Sequence, residues 1–215
     1  MKIKWYGQAC MVLESFEHRK VMCDPYDDSI GYSIPEEEID IVTISHFHFD
    51  HCGYDFVKGD PAVVSAPNRI RKLGIIISGM ESQNNTAGKN KKESNIIFKI
   101  QMDNINFVHL GDIDKLLSPD EIDFIKPCDI LAVPAGGTYT IDCEGAFKIA
   151  QQLSPQIVVP IHYYTPSNKM ILDDIDKLIS KFIEVKNSQI WEGTRKDIPK
   201  QQVLWILEPL GEKKV

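Results

Sequence analysis

The run Ile41-Val42-Thr43-Ile44-Ser45-His46-Phe47-His48-Phe49-Asp50-His51-Cys52-Gly53 places three histidines and an aspartate within six positions, directly after an apolar, β-branched stretch. On extended backbone, residues two apart project to the same side, so His46 and His48 can grip one ion together. Imidazole and carboxylate donors at this density suit Zn²⁺, with Fe or Mn as rivals. A solvated surface histidine cluster is the bland alternative, and the spacing argues against it.

Further donors follow later apolar runs. His162 stands in Pro160-Ile161-His162-Tyr163-Tyr164. Alone it reads as a packing residue, but a catalytic metal pair needs more ligands than the first cluster supplies. His109-Leu110-Gly111-Asp112 ends another apolar run, and Asp112 suits a carboxylate that bridges two metals, although Gly-Asp is also ordinary turn chemistry. His109 reads either as a ligand or as a partner that orients one. Tyr139 and Tyr163 could donate a hydrogen bond to a substrate, with aromatic packing as the competing account.

These residues need strands to hold them. Apolar, β-branched runs predict strands at 2–6, 11–14, 20–23, 41–44, 62–65, 75–77, 96–101, 105–109, 130–133, 157–161 and 203–207. Asp103-Asn104 predicts a tight hairpin, because both residues tolerate positive φ. Glu17-His18-Arg19 predicts another, which puts His18 in solvent. Ser118-Pro119-Asp120-Glu121 is a capping box with Pro at the first helical position, so a short helix should run toward Ile125. Amphipathic patterns predict helices over roughly 142–153 and 169–182. Residues 79–94, polar and without periodicity, read as a long loop. Strands that alternate with amphipathic helices indicate an α/β fold of sheets covered by helices.

The chain has 215 residues, enough for one sizeable core, so 1–215 is expected to be a single domain. Composition is globular throughout, with 43% hydrophobic and 26% charged residues. A formal charge of −7 gives no long-range attraction to a polyphosphate, so nucleic acid is an unlikely partner outside a local patch at Arg69, Arg71 and Lys72. The opening Met1-Lys2-Ile3-Lys4-Trp5-Tyr6 lacks a signal peptide pattern, and no stretch approaches a membrane span, so a cytoplasmic protein with a small-molecule substrate is expected. Cys10, Cys23, Cys52, Cys128 and Cys143 show no Cys-x-x-Cys spacing and read as reduced thiols, Cys52 alone lying beside the histidine cluster. Oligomeric state is not legible.

His-x-His-x-Asp-His, a later Gly-Asp after a strand and a final Pro-x-His-Tyr resemble the metallo-β-lactamase superfamily, in particular its small Zn-dependent hydrolases. The likeness extends to Trp5-Tyr6-Gly7-Gln8-Ala9-Cys10, to Cys23-Asp24-Pro25-Tyr26 and to the loop that begins Val133-Pro134-Ala135-Gly136. It implies a four-layer αβ/βα sandwich with the site at one edge of two sheets. It also implies that His46 and His48 serve a first metal, Asp50, His51 and His162 a second, with Asp112 bridging and Asp24 supporting the ligands from behind. Two departures stand out: Gln8 occupies a position where many relatives carry His, and residues 79–94 lack the His that usually completes the first metal's ligands. Glu81 or His109 could substitute.

The implied chemistry is metal-assisted hydrolysis of an ester, lactone, amide or phosphodiester by metal-activated water, with one or two Zn ions, or Fe or Mn, and with Asp50 orienting the nucleophile. An RNA-processing nuclease and a non-enzymatic metal-binding module are the alternatives. The first is weakened by the acidic charge, and the second requires a closed coordination sphere.

Overall fold

In the computed structural model, which describes residues 1–84 and 93–212, the apolar runs pair into two sheets that face each other. The strands are β1 (Lys2–Gly7), β2 (Cys10–Glu14), β3 (Lys20–Cys23), β4 (Ile41–Thr43), β5 (Ala62–Val64), β6 (Arg69–Lys72), β7 (Ile75–Asn84), β8 (Glu93–Met102), β9 (Ile105–His109), β10 (Ile130–Pro134), β11 (Ile157–Ile161), β12 (Val185–Ser188), β13 (Ile190–Glu192) and β14 (Val203–Leu207). The helices are α1 (Pro119–Ile125), α2 (Cys143–Leu153) and α3 (Asp176–Ile179). One sheet has the order β13-β1-β2-β3-β4-β5 and the other β12-β14-β11-β10-β9-β8-β7-β6.

Alternation sorts the first sheet's side chains. Ile3, Trp5, Met11, Leu13, Val21, Cys23 and Ile41 join the core between the sheets, while Cys10, Val12, Met22 and Val42 pack outward against Tyr26, Ile30, Tyr32 and Ile39. That outer cover is a connecting segment with two 3₁₀ turns, Asp28–Ile30 and Tyr54–Phe56. On the other side α2 buries Ala146, Ile149, Ala150 and Leu153 against the second sheet, whose β10 and β11 are buried along their whole length. Parallel strands covered on both faces have that continuous apolar character. The four layers of the expected sandwich are therefore present, one of them thin.

Local chemistry explains the elements. Both halves of the capping box form: Ser118 Oγ accepts from the Glu121 N–H and Glu121 Oε2 from the Ser118 N–H. Asp103 and Asn104 adopt φ of 53° and 61° in the β8–β9 hairpin, and His18, at φ 59°, sits in the β2–β3 turn.

Two expectations are corrected. Residues 79–84 and 93–94 are strand, not loop: β7 and β8 pair from Ile76↔Gln101 to Asn84↔Glu93, and buried Ser82 donates to Glu121 Oε1 at 2.6 Å. Residues 85–92 of that segment lie outside the described residues. The helix expected over 169–182 shrinks to α3, because backbone groups upstream of it bond elsewhere. The Lys169 N–H donates to Ile30 O, the Asp173 N–H to Gly136 O and the Tyr164 N–H to Asp173 O. Asn168 Oδ1 takes the Met170 N–H. Leu172, Ile175 and Leu178 are still buried, so the apolar pattern marked burial without regular helix.

No helix among the described residues is long and apolar enough to cross a membrane.

Asp142 caps α2 by accepting the Gly145 N–H at 2.9 Å. Asp142→Ala is expected to cost about 1 kcal/mol, and Ile149→Ala, which opens a cavity at a fully buried position, about 2–5 kcal/mol. Urea unfolding should show both as lowered midpoints at unchanged slope. An Ile149→Ala loss no larger than that of Asp142→Ala would contradict the packing described.

Candidate metal centre

The C-terminal ends of β3 and β4 in one sheet meet those of β9 and β11 in the other, and the segments that leave them carry Asp24, 45–51, Asp112 and His162. Asp24 is fully buried and accepts three hydrogen bonds, from the Ser45 N–H at 2.7 Å, Ser45 Oγ at 2.6 Å and His51 Nδ1 at 2.8 Å. A carboxylate only accepts, so His51 has its Nδ1 proton fixed there. His51 Nε2 then points toward Asp112 Oδ1 at 3.1 Å and Asp50 Oδ2 at 3.3 Å. Opposite, His162 Nε2 lies 3.4 Å from Asp112 Oδ2 and 3.8 Å from Asp50 Oδ2.

One donor atom each from Asp50, His51, Asp112 and His162 falls within 4.8 Å of the others, and all four residues are buried. His51 Nε2 and both ring nitrogens of His162 make no hydrogen bond of good geometry. Buried imidazole nitrogens are ordinarily paired, and two nitrogens with two carboxylates form the donor set of a divalent transition metal, so the residues fit one.

Electrostatics follow the same geometry. Burial opposes the charged form of His162, yet Asp112 and Asp50 push its pKa up to about 9. Burial likewise disfavours charge on His51, and Asp112 and Asp50 outweigh it, raising its pKa well above the usual histidine value. Asp50 and Asp112 are held well below the usual carboxylate range against burial, Asp50 by His51 and His162, Asp112 by His162 and His51.

His46 and His48 lie at the outer rim. The Ser45 hydroxyl gives its hydrogen to Asp24, so it accepts from His46 Nδ1 at 3.0 Å, which leaves His46 Nε2 as an acceptor facing His48 Nδ1 at 3.0 Å. His46 Nε2 is 3.8 Å from Asp112 Oδ2, and burial, reinforced by His51, lowers the His46 pKa to about 4. His48 is exposed. The expected first pair is therefore adjacent to the buried group and shallower than it.

The other sequence-derived candidates fall as follows. His109 is fully buried, with Nε2 donating to Ala9 O at 2.9 Å and Nδ1 accepting the Gly111 N–H at 3.2 Å. Both nitrogens are occupied by backbone, so His109 supports the site and does not supply the first metal's missing donor. Glu81 is exposed and takes Ser94 Oγ–H at 2.9 Å, apart from the cluster. Tyr163 is buried with its ring stacked on Trp5 at 4.9 Å, which makes it a packing residue, whereas Tyr139 is 45% exposed. Cys52 is no member of the cluster among the described residues.

Sequence reading missed the supports. Gly111, at φ 59°, turns the chain after β9, and a Cβ there would collide with Asn95 Oδ1 and Ser45 Cβ. Asn95 Oδ1 accepts the Asp112 N–H at 3.1 Å and its Nδ2 donates to Leu110 O at 2.9 Å, which presents Asp112 to the histidines. Ser45 and Gln8, both buried and polar, contact Asp24 and Asp50. In the sequence Gln8 stood out only as a departure from the family pattern and Ser45 only by its place beside His46.

A family profile described as Beta-lactamase superfamily domain matches residues 2–162. The chain is 27% identical over 191 residues, covering 77% of it and 84% of the relative, to a UPF0173 metal-dependent hydrolase of Thermoplasma acidophilum. It is 27% identical over 217 residues, 90% and 99% of the two chains, to a UPF0173 protein of Pyrococcus furiosus. Among solved structures it is similar to a protein of the metallo-beta-lactamase superfamily from Thermotoga maritima, at TM-score 0.80 and 32% identity over 96% of this chain and 99% of that one.

Elemental analysis of protein loaded at limiting metal should find the first ion lost in His51→Ala and in His162→Ala, by more than the about 10–100-fold in affinity that an outer partner typically costs. The same ion should be retained in His48→Ala. Equal loss in all three variants would show that the rim pair, and not the buried group, takes the first ion.

Proposed function

The chain belongs to the beta-lactamase superfamily, and from that membership we propose that it is a metal-dependent hydrolase, all 215 residues forming one domain, that cleaves an ester, lactone, amide or phosphodiester of small size. The observation that carries the reading is the buried group Asp50, His51, Asp112 and His162, in which the Nε2 atoms of both histidines face two carboxylates without a hydrogen bond of good geometry. Zinc suits these donors best, with iron or manganese as the alternatives and a second ion at the rim pair His46 and His48. When bound, such an ion supplies Lewis acidity toward a carbonyl or phosphoryl oxygen and brings the ionisation of water near neutral pH.

The chain's own residues do the rest. Asp24 fixes the tautomer and the ring plane of His51 through Oδ2, and Ser45 passes the same constraint to His46. Asp112 faces His51 with Oδ1 and His162 with Oδ2, so it ties the two sheets together at the site. Asp50, kept ionised by His51 and His162, accepts a hydrogen bond from the attacking water and orients it. Tyr139, exposed after β10, is proposed to donate a hydrogen bond to substrate.

The names of relatives support hydrolysis as the reaction class. The substrate is a matter for screening, since this scaffold hosts many chemistries.

Metal-loaded protein should turn over one class among phosphodiesters, lactones, thioesters and amides, with activity lost to a chelator and restored by metal. Asp50→Asn should lower that rate by about 10²-fold or more with little change in melting temperature. Turnover that survives the chelator, or a parent-like rate in Asp50→Asn, would overturn the reading.

A further inference from the structure

One run of polar contacts ends on the buried group through the Gln8–Asp50 contact. It begins at the backbone N–H of Met170, which donates to Asn168 Oδ1 at 2.8 Å. A backbone N–H can only donate, so the Asn168 oxygen is assigned and its amide nitrogen must face the other way, toward Gln8. There Asn168 Nδ2 donates to Gln8 Oε1 at 2.7 Å. That assigns the second amide in turn, and Gln8 Nε2 donates to Asp50 Oδ2 at 2.8 Å. A carboxylate only accepts, so no other orientation of the two amides satisfies all three contacts. Both side chains are buried, Gln8 completely, and the remaining Gln8 N–H meets only the weak acceptor Met170 Sδ at 3.2 Å.

We infer that Gln8 is a positioning residue for Asp50, its amide held in one orientation by Asn168. The oxygen that receives the amide hydrogen is the one that lies 3.3 Å from His51 Nε2 and 3.8 Å from His162 Nε2. Gln8 thus sets where Asp50 Oδ2 stands between the two imidazoles. Its main chain acts on the same group: at φ 51° in the β1–β2 turn, the Gln8 carbonyl accepts the His162 N–H at 2.9 Å and Trp5 Nε1–H at 2.9 Å. One residue therefore fixes Asp50 through its side chain and His162 through its backbone. The carboxamide suits the task because it offers a hydrogen to a carboxylate and an oxygen to Asn168 without adding charge to a buried site. The inference rests on the reading of this group as a metal centre.

Two variants of the full chain separate this role from mere packing. Gln8→Met keeps length and burial and removes the donor. Asn168→Asp keeps an oxygen for the Met170 N–H but has no hydrogen for Gln8, so the Gln8 amide turns over and presents its oxygen to Asp50. Titration with Co²⁺ alone, followed by visible absorption, should show dissociation constants about 10–100-fold above the parent in both variants, with circular dichroism unchanged. The cobalt bands at saturation should also shift, because an oxygen of Asp50 is displaced; a change in folding stability alone would not move them. Parent-like cobalt affinity and spectrum in either folded variant overturns the inference and leaves the metal centre standing. A parent protein that takes up no cobalt overturns both.

Discussion

The buried carboxylate of Asp24 is the interaction on which the rest of the site depends. It stands just beyond β3 with no solvent contact, a position that costs several kcal/mol for an ion unless every lone pair is engaged. Here the Ser45 N–H, the Ser45 hydroxyl and His51 Nδ1 engage it, each a charge-assisted bond of about 1.5–3 kcal/mol. His109 Nδ1 is a further 3.8 Å away, and with His51 it holds the Asp24 pKa down against burial. The geometry runs outward from this point. His51 cannot rotate without stranding Asp24, and His46 cannot turn without releasing the Ser45 hydroxyl. The apolar registers of β3 and β4 therefore serve chiefly to bring Asp24 and Ser45 to one level, with Cys23 opposite Thr43 and the Asp24 N–H on Thr43 O.

A second constraint is conformational. Gln8, Asp24, Gly111 and His162 each turn the chain at or just beyond a strand end with φ between 45° and 61°. For side chains with a Cβ this region costs of order 1–3 kcal/mol and persists only where surroundings over-determine it. The compensation is visible for two of them: Asp24 in its three acceptor bonds, and His162 in the bond from its N–H to the Gln8 carbonyl. The left-handed turn lets a residue at the strand end aim its side chain along the strand axis into the gap between the sheets, where a continued extended chain would aim it sideways. The candidate site thus sits where local backbone preference is overruled, at the carboxyl ends of parallel strands, as is usual for α/β sheets.

That distribution explains what could be read from sequence. All eleven apolar runs became strands, and Asp50 and His51 of the histidine cluster meet Asp112 and His162 in one buried group, because hydrophobic alternation and clustered imidazoles are dense signals. The strands that were missed, β6, β12 and β13, all lie at sheet edges. An edge strand needs only one buried face or none, and charge along it discourages pairing with another chain; Arg69, Arg71 and Lys72 do this on β6, which is where the basic patch belongs. The helix over 169–182 failed for the converse reason, since Leu172, Ile175 and Leu178 are buried while Ile171 faces solvent and tertiary partners take the segment's backbone bonds. Ser82 and Asn95 hid a strand pair because polar side chains inside a sheet are legible only once their partners are known, Glu121 for one and the Gly111 turn for the other.

The histidine motif itself combines two geometries in series. Beyond Thr43 the chain bends at 45 and 46, and the rings of His46 and His48 meet edge to face, their centroids 4.5 Å apart. At His48 it folds back: the His51 and Cys52 N–H groups both donate to the His48 carbonyl, and the turn swings Asp50 and His51 inward. The turn then passes so close to the preceding loop that position 53 must be glycine, since a Cβ would strike the Tyr26 carbonyl. The observed order divides the four donors of the motif into a deep group and a shallow pair. Phe47 and Phe49, on either side of His48 in the chain, are 68% and 51% exposed. Apolar surface thus stands beside the shallow pair, next in the chain to a group that is buried and charged.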